Sequence, residues 1–201
     1  MKVHIGIDFD NTIVTYDNVF YKYAFKLGLI PQDVKKNKQI IRDTIRLLPQ
    51  GEEQWIKLQG LVYGLYMDEA ELFDGVDRFL DTCKHKNIKV SIVSHKTIYP
   101  ALGPRINLRD VAKKWLEDRG FFSRFGLLPE DAIFVGSIDE KLSEIVKRKC
   151  THFIDDLLEI LIYPGFPSNV QKILYSSSGD NVPSEIYIAE NWDEIWRYFF
   201  G

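Results

Sequence analysis

Six short runs rich in Val, Ile and Phe are the strongest constraint on the fold of this chain. Most of them are apolar at nearly every position, which is typical of parallel strands that helices cover on both faces. We predict strands at Val3–Ile7, Lys89–Val93, Ala132–Val135, His152–Ile154, Gln171–Tyr175 and Glu185–Ile188. Helical patterns lie between the runs, so the sequence predicts an α/β fold whose parallel strands are joined by right-handed crossovers.

Two of the helical patterns begin with a recognisable cap. Ser137 to Glu140 has the form of a capping box, and apolar residues follow it at helical spacing. Asn191 precedes the last amphipathic segment of the chain and is of a residue type that caps helix N-termini. The sequence therefore predicts a helix after each of these two residues.

One interval is too long for a single crossover. A minimal βαβ unit needs roughly 30 residues, but about 80 separate Asp8 from the strand that begins at Lys89. The excess is itself helix-like and contains aromatic residues such as Trp55. We therefore predict an α/β core at residues 1–15 and 74–201, and a helical cap insertion at residues 16–73. Such an insertion could form a lid over the carboxyl ends of the strands, where open α/β folds bind their ligands.

The composition argues against several classes of function. The formal net charge is −3, so no basic field attracts nucleic acid or an anionic membrane surface. No apolar run reaches the ~18 residues of a membrane span, and two acids interrupt the apolar N-terminal stretch, which is atypical of a signal peptide. Cys83 and Cys150 show no metal-type spacing. We expect a cytoplasmic protein that binds a small molecule, and the sequence does not predict its oligomeric state.

Polar residues stand where several predicted strands end. Asp8 closes the first strand and Asp10 follows two residues later, while Ser94 closes the second strand and Asp155–Asp156 the fourth. Lys141 lies in the first turn of the helix before that fourth strand. The carboxyl ends of parallel strands lie on one edge of the sheet, so these groups are expected to converge.

Three converging carboxylates would raise each other's pKa or require a cation. The ligand atoms are all oxygens, and this donor set suits Mg²⁺ better than zinc. A lysine and a hydroxyl beside such a metal can hold an anionic tetrahedral group, and a phosphate is the natural candidate. In such a site one carboxylate can act as the nucleophile, and an acid two residues away can handle the proton.

The order of these motifs resembles that of the haloacid dehalogenase (HAD) superfamily of phosphohydrolases. The four segments that carry the resemblance span the chain in order: Ile5-Gly-Ile-Asp8-Phe-Asp10-Asn-Thr12, Ser94, Lys141 and Phe153-Ile-Asp155-Asp156. The first and the last are the specific ones. The resemblance implies a HAD-like Rossmannoid sheet flanked by helices, with the small helical insertion after strand one at the position of the family's C1 cap.

The resemblance also implies roles for individual residues. Asp8 would be the nucleophile that forms an aspartyl-phosphate, and Asp10 would be the general acid and base. The phosphate-binding residues would be Ser94, Lys141, Thr12 and Asn11. The metal ligands would be Asp8, Asp10 through its backbone carbonyl, and Asp155. The outer shell, or possible substrate contacts, would comprise Asp156, His95, Lys96 and Arg105.

Other interpretations of the same residues remain open at the sequence level. A calcium-binding loop that starts at Asp8 would need Gly at position 13 and Glu at position 19. These positions hold Ile13 and Val19, so the sequence excludes such a loop. Asp10 or Asn11 could instead cap the following helix. Taken alone, Ser94 could be a turn residue and Lys141 a solvated helix residue. His95, Lys96 and Arg105 could likewise be ordinary surface residues.

The expected function is a Mg²⁺-dependent phosphohydrolase that cleaves a phosphate monoester of a small metabolite, such as a sugar phosphate or a nucleoside monophosphate. The acid at Asp10 favours a phosphatase, because the dehalogenase members of the family lack an acid at that position. A phosphotransferase or phosphomutase that uses the same site is an alternative. A catalytically idle HAD scaffold that binds a partner is a second one.

Overall fold

The computed structural model describes residues 2–177 and 181–201. The chain divides into two compact units. The first is built from the N-terminal residues up to Val14, from Leu72–Lys96 and from Leu116–Gly201. The second is built from Thr15–Glu71 and Thr97–Trp115. A segment beyond the predicted insertion therefore belongs to the second unit, and the assignment of residues 16–73 as a cap stays a prediction.

The described residues form eight strands and eight α-helices. The strands are β1 (His4–Ile7), β2 (Val14–Thr15), β3 (Glu71–Leu72), β4 (Lys89–His95), β5 (Ala132–Val135), β6 (His152–Asp155), β7 (Gln171–Tyr175) and β8 (Tyr187–Ala189). The helices are α1 (Asp17–Lys26), α2 (Lys38–Arg46), α3 (Gly51–Tyr63), α4 (Val76–His85), α5 (Leu108–Asp118), α6 (Ile138–Lys147), α7 (Leu158–Leu161) and α8 (Trp192–Phe200). Short 3₁₀ turns lie at Met67–Glu69 and Pro129–Asp131. None of these helices combines the length and apolar composition that crossing a membrane requires.

Six strands of the first unit form one sheet in the order β5-β4-β1-β6-β7-β8. Every neighbouring pair is parallel, so the predicted α/β class is confirmed. Strand β1 lies between β4 and β6, and the chain therefore leaves β1 toward one side of the sheet and later returns to the other. This reversal makes the carboxyl end of β1 the point at which open α/β sheets bind ligands.

The predicted strands agree with the structure in position and differ at some ends. β5 and β7 have the predicted bounds, and β4 and β6 extend to His95 and Asp155. The last strand lies at Tyr187–Ala189 and not at Glu185–Ile188. The reason is a turn: the Ile186 amide donates a hydrogen bond to the Pro183 carbonyl at 3.0 Å, and this keeps the preceding residues out of the ladder.

Both predicted helix caps are present. The Ser137 hydroxyl accepts a hydrogen bond from the Glu140 amide at 3.2 Å, and the Asn191 side chain accepts one from the Glu194 amide at 3.0 Å. The Glu140 carboxylate bonds the amide of Gly136 at 2.7 Å, one residue before the cap. These bonds satisfy amides that have no partner within a helix, and the first of them fixes where α6 begins.

The second unit is held together by an aromatic cluster and by a close backbone approach. The Phe20 ring on α1 stacks on Trp55 of α3 with 4.9 Å between centroids. A Cβ at Gly60 of α3 would lie 2.2 Å from the Leu102 carbonyl oxygen, so only glycine allows this approach. The Trp115 indole donates to the Ala70 carbonyl at 3.1 Å. The last two contacts join Thr97–Trp115 to α3 and to Ala70.

Glycine at position 6 is required by the packing of the central strand. A Cβ at Gly6 would lie 2.5 Å from Cδ2 of the buried Phe153 ring and 3.0 Å from the Cys150 sulfur. Because the ring is enclosed in the core, we expect Gly6→Ala to lower the free energy of unfolding by about 1–3 kcal/mol, the usual cost of overpacking. Urea denaturation of the two proteins would measure this. An unchanged urea midpoint would show that the neighbouring side chains can move to accommodate the methyl group.

A buried polar network closes the amino edge of the sheet. His4 Nδ1 donates to the Arg148 carbonyl at 2.8 Å, and His4 Nε2 lies 2.9 Å from the Ser91 hydroxyl. The Arg148 guanidinium donates to Asp131 Oδ1 at 2.8 Å, and the Lys89 ammonium lies 3.2 Å from the same oxygen. Each of these charges faces an opposite charge, so the network is a structural element of the first unit.

Burial lowers the pKa of His4 below its ordinary value of 6.5. At this residue the unfolded chain therefore binds more protons than the folded chain between the two pKa values, and the contribution of His4 to stability must fall as the pH drops through that window. The difference between the urea midpoints of the wild type and His4→Gln isolates this contribution, and we expect it to change to the disadvantage of the wild type as the pH falls from about 7.5 to about 5.5. Parallel pH profiles for the two proteins would contradict the assignment to His4.

Candidate active site

The buried polar residues of the first unit form two groups. One is the network at the amino edge of the sheet. The other lies at the carboxyl edge and consists of Asp8, Thr12, Ser94, Lys96, Lys141 and Asp155. Ser94 and Asp155 lie on β4 and β6, while Asp8 and Thr12 follow β1 and Lys96 follows β4. Lys141 lies in the first turn of α6. These residues therefore lie at one edge of the sheet, as their positions at strand ends predict.

Two carboxylates share one ammonium group at the centre of this edge. Lys141 Nζ lies 2.5 Å from Asp8 Oδ1 and 2.6 Å from Asp155 Oδ2. All three residues are almost fully buried. The second oxygen of Asp155 accepts a hydrogen bond from the Leu157 amide at 3.0 Å, and the Asp8 amide continues the β1–β6 ladder through the Ile154 carbonyl at 2.8 Å. The Leu157 amide thus orients the carboxylate of Asp155, and the ladder fixes the backbone of Asp8.

The charges of these residues are strongly coupled. Burial raises the pKa of Asp8 to about 7; the Lys141 ammonium opposes this shift, and the Asp155 and Asp10 carboxylates add to it. Burial alone would lower the pKa of Lys141, but the Asp8 and Asp155 carboxylates raise it above its usual range. The two carboxylates therefore favour the charged form of Lys141, and a second cation beside Asp8 would favour the ionised form of its carboxylate.

A third acid completes a set of oxygen ligands. Carboxylate oxygens of Asp8, Asp155 and Asp156 all lie within 4.8 Å of one another. The Thr12 hydroxyl lies 3.4 Å from Asp156 Oδ1 and orients it. A compact donor set made only of oxygens fits Mg²⁺, which prefers carboxylate and water ligands. One ammonium does not balance three clustered carboxylates, and a divalent cation would remove that excess of negative charge.

The segment after β1 folds into a tight turn that holds the acids at this edge. Asn11 adopts a left-handed conformation with φ 58°, which asparagine tolerates better than most residues. The Asn11 amide donates to the Val14 carbonyl at 2.9 Å. The buried Trp192 indole donates to the Thr12 carbonyl at 2.9 Å across 180 residues of chain. Nothing in the sequence pattern pointed to Trp192 as a support of this turn.

Asp10 lies beside the central group and is held by a different cation. Lys96 Nζ donates to Asp10 Oδ1 at 2.9 Å and to Asp10 Oδ2 at 2.6 Å. The Lys96 side chain is 4% exposed, whereas that of Asp10 is 22% exposed. The Asp10 carboxylate therefore reaches the surface of the edge, and the lysine that binds it is enclosed.

The remaining predicted residues occupy different places. Ser94 is buried on β4, the neighbour of β1 in the sheet. His95 is exposed, and its Nε2 lies 3.0 Å from the Gly136 carbonyl. Arg105 belongs to the second unit, where its guanidinium lies over the Tyr99 ring at 4.6 Å. Ser94 thus lies at the same edge of the sheet as Asp8, while His95 binds the loop before α6.

Comparisons with known proteins identify the fold. A hydrolase of the haloacid dehalogenase-like family from Streptococcus pneumoniae is 16% identical, with 98% of each chain covered and a TM-score of 0.62. A Bacillus subtilis protein described as a HAD hydrolase bound to magnesium is 15% identical, with 98% of each chain covered and a TM-score of 0.59. Protein tyrosine kinase A of Mycobacterium tuberculosis is 11% identical, with a TM-score of 0.65; the comparison covers 100% of this chain and 99% of the kinase A chain.

The chain has the fold of the HAD-superfamily hydrolases. No protein-family model matches the sequence, and no curated protein sequence matches it. The predicted resemblance is therefore confirmed at the level of the fold. Because proteins of this fold carry out different reactions, what the chain does must be argued from its own site.

Proposed function

We propose that the chain is a Mg²⁺-dependent phosphatase that hydrolyses the phosphate monoester of a small metabolite. The observation that carries this proposal is the buried group of Asp8, Lys141 and Asp155, with ammonium-to-carboxylate distances of 2.5 and 2.6 Å. Burying a lysine between two carboxylates is costly. Its position on the ligand-binding edge of the sheet supports a catalytic role.

Asp8 is the proposed nucleophile. Its backbone is fixed by the β1–β6 ladder and its carboxylate is held by Lys141, so little rotational freedom is lost when it attacks. In the first step an oxygen of Asp8 bonds to phosphorus as the ester oxygen departs, which gives an aspartyl-phosphate. Lys141 and Ser94 are the proposed ligands of the phosphoryl oxygens, and Asn11 and Thr12 support the turn beside them.

Asp10 is the proposed acid and base. Its carboxylate lies two residues from the nucleophile and is the more exposed of the two. In the first step it gives a proton to the departing ester oxygen, and in the second it takes one from the water that attacks phosphorus. The second step regenerates Asp8 and releases inorganic phosphate.

The residues that would hold Mg²⁺ are Asp8, Asp155 and Asp156 through their carboxylates, and Asp10 through its backbone carbonyl. When bound, the ion would neutralise charge on the phosphoryl group and on Asp8. We further propose that the helical insertion at residues 16–73 is a C1-type cap that selects the substrate, and that the protein is cytoplasmic.

A panel of phosphorylated metabolites tests the proposal. We expect at least one sugar phosphate or nucleoside monophosphate to release inorganic phosphate with Mg²⁺ present, and we expect excess chelator to stop the release. Alcohols added as acceptors would reveal a phosphotransferase, and a 2-haloacid that releases halide would reveal a dehalogenase. If no phosphate ester reacts with Mg²⁺ present, the proposal is wrong and a non-catalytic scaffold is preferred.

A further inference from the structure

The ion pair between Lys96 and Asp10 is built into the sheet. The Lys96 amide donates to the Val135 carbonyl at 2.9 Å and so adds one bond to the β4–β5 ladder after His95. Successive side chains of a strand point to opposite faces, so Lys96 shares the face of Ser94 and not that of His95. The contacts agree, since His95 binds the Gly136 carbonyl and Lys96 binds Asp10.

The side chain of Lys96 is also confined by packing. Its ammonium lies 5.5 Å from the centroid of the Phe9 ring, between the two acids in sequence. Phe9 is fully buried and meets Phe134 of β5 edge to face at 5.3 Å. An enclosed lysine that binds both oxygens of one carboxylate differs from a solvated surface pair, which would move freely and contribute little.

We propose that Lys96 is a positioning residue that holds the carboxyl group of Asp10 in place for proton transfer. This inference rests on the proposed function and adds a residue to it. Lys96 fixes the carboxyl group of Asp10, whose side chain is 22% exposed, while that of Lys96 is 4% exposed. The proton still moves between Asp10 and the departing oxygen, so Lys96 acts only through Asp10.

Two esters that differ in their leaving group separate this role from others. A nitrophenolate leaves without a proton, whereas an alkoxide must be protonated as it departs. The substitution Lys96→Met keeps an unbranched side chain that is one atom shorter and removes its charge. We expect kcat/KM to fall by about a hundredfold for the best alkyl phosphate of the panel, and by less than about threefold for p-nitrophenyl phosphate. The KM for p-nitrophenyl phosphate should fall together with kcat, because Asp10 also activates the water of the second step, whereas kcat/KM for this ester reports the first step.

A double-variant comparison sharpens the test. Asp10→Asn should show the same dependence on the leaving group, and adding Lys96→Met to it should cost little more, because residues that act as a unit are not additive. Lys89→Met is the matched control. Lys89 begins the strand that Lys96 follows, and it pairs with Asp131 at the opposite edge. Lys89→Met should leave both esters unaffected.

Four outcomes would overturn the inference. An equal loss for the two esters would assign Lys96 to phosphate binding or to stability, and a full additional loss in the Asp10→Asn background would show that it acts independently. An unchanged kcat/KM of Lys96→Met for both esters would show that the contact between Lys96 and Asp10 has no part in catalysis. If the wild-type chain hydrolyses neither ester, the proposed function fails and the positioning role falls with it.

Discussion

Replacing Asp8 by Asn is expected to abolish phosphate release. The substitution keeps the size of the side chain and removes the nucleophilic oxygen on which the proposed reaction depends. Because the covalent step cannot then occur, we expect kcat to fall by at least about a thousandfold with every ester. Phosphate release from the best substrate of the panel, with Mg²⁺ in excess, is the measurement.

Asp131→Asn is the matched control for this variant. Asp131 is also a buried carboxylate with an ion pair, since Arg148 lies 2.8 Å from it, but it lies at the amino edge of the sheet. Its loss should lower stability and leave the activity of the folded protein unchanged. An Asp8→Asn protein that kept more than about a tenth of the wild-type rate would contradict the assignment of the nucleophile.

Replacing Lys141 by Met is expected to have the largest effect on stability. The variant leaves Asp8 and Asp155 buried without the ammonium group that they share at 2.5 and 2.6 Å. Removing one partner of a buried ion pair costs about 3–5 kcal/mol, because the remaining charge stays uncompensated. We expect a loss of this size in urea denaturation with a chelator present, together with a loss of activity.

The response of this variant to Mg²⁺ adds a second readout. A divalent cation bound by the same carboxylates should stabilise Lys141→Met more than it stabilises the wild type, because it restores the missing positive charge. Lys147→Met on the same helix is the control; Lys147 is exposed and pairs with Glu144 at 2.8 Å, and its loss should cost less than about 1 kcal/mol. Equal stability of the two variants in chelator would contradict the account.

Much of the site could be predicted because strand ends are visible in sequence. Apolar runs that stop at Asp8, Ser94 and Asp155 marked one edge of a parallel sheet, and the structure brings these residues there. Lys141 was predicted beside them because it follows the Ser137 cap at the start of α6, and the structure places it between Asp8 and Asp155. Local patterns thus sufficed wherever the site is built from the ends of regular elements.

The features that the sequence did not predict depend on contacts between distant parts of the chain. His95 and Lys96 stand side by side in the sequence, and only the face that each side chain takes on β4 separates them. The segment Thr97–Trp115 belongs to the second unit, where it makes contacts through Gly60 and Trp115. Its composition did not predict that it would leave the first unit. Trp192 supports the turn after β1 from the far end of the chain.

The most direct test of the account is to detect the phosphoryl group on Asp8. Asp10→Asn should form the intermediate with p-nitrophenyl phosphate and hydrolyse it slowly, so rapid acid quenching followed by intact-protein mass spectrometry should show the added mass of one phosphoryl group. Peptide mapping after borohydride reduction should place the group on Asp8. An unmodified protein that still releases nitrophenol, or a phosphoryl group on another residue, would contradict the central claim.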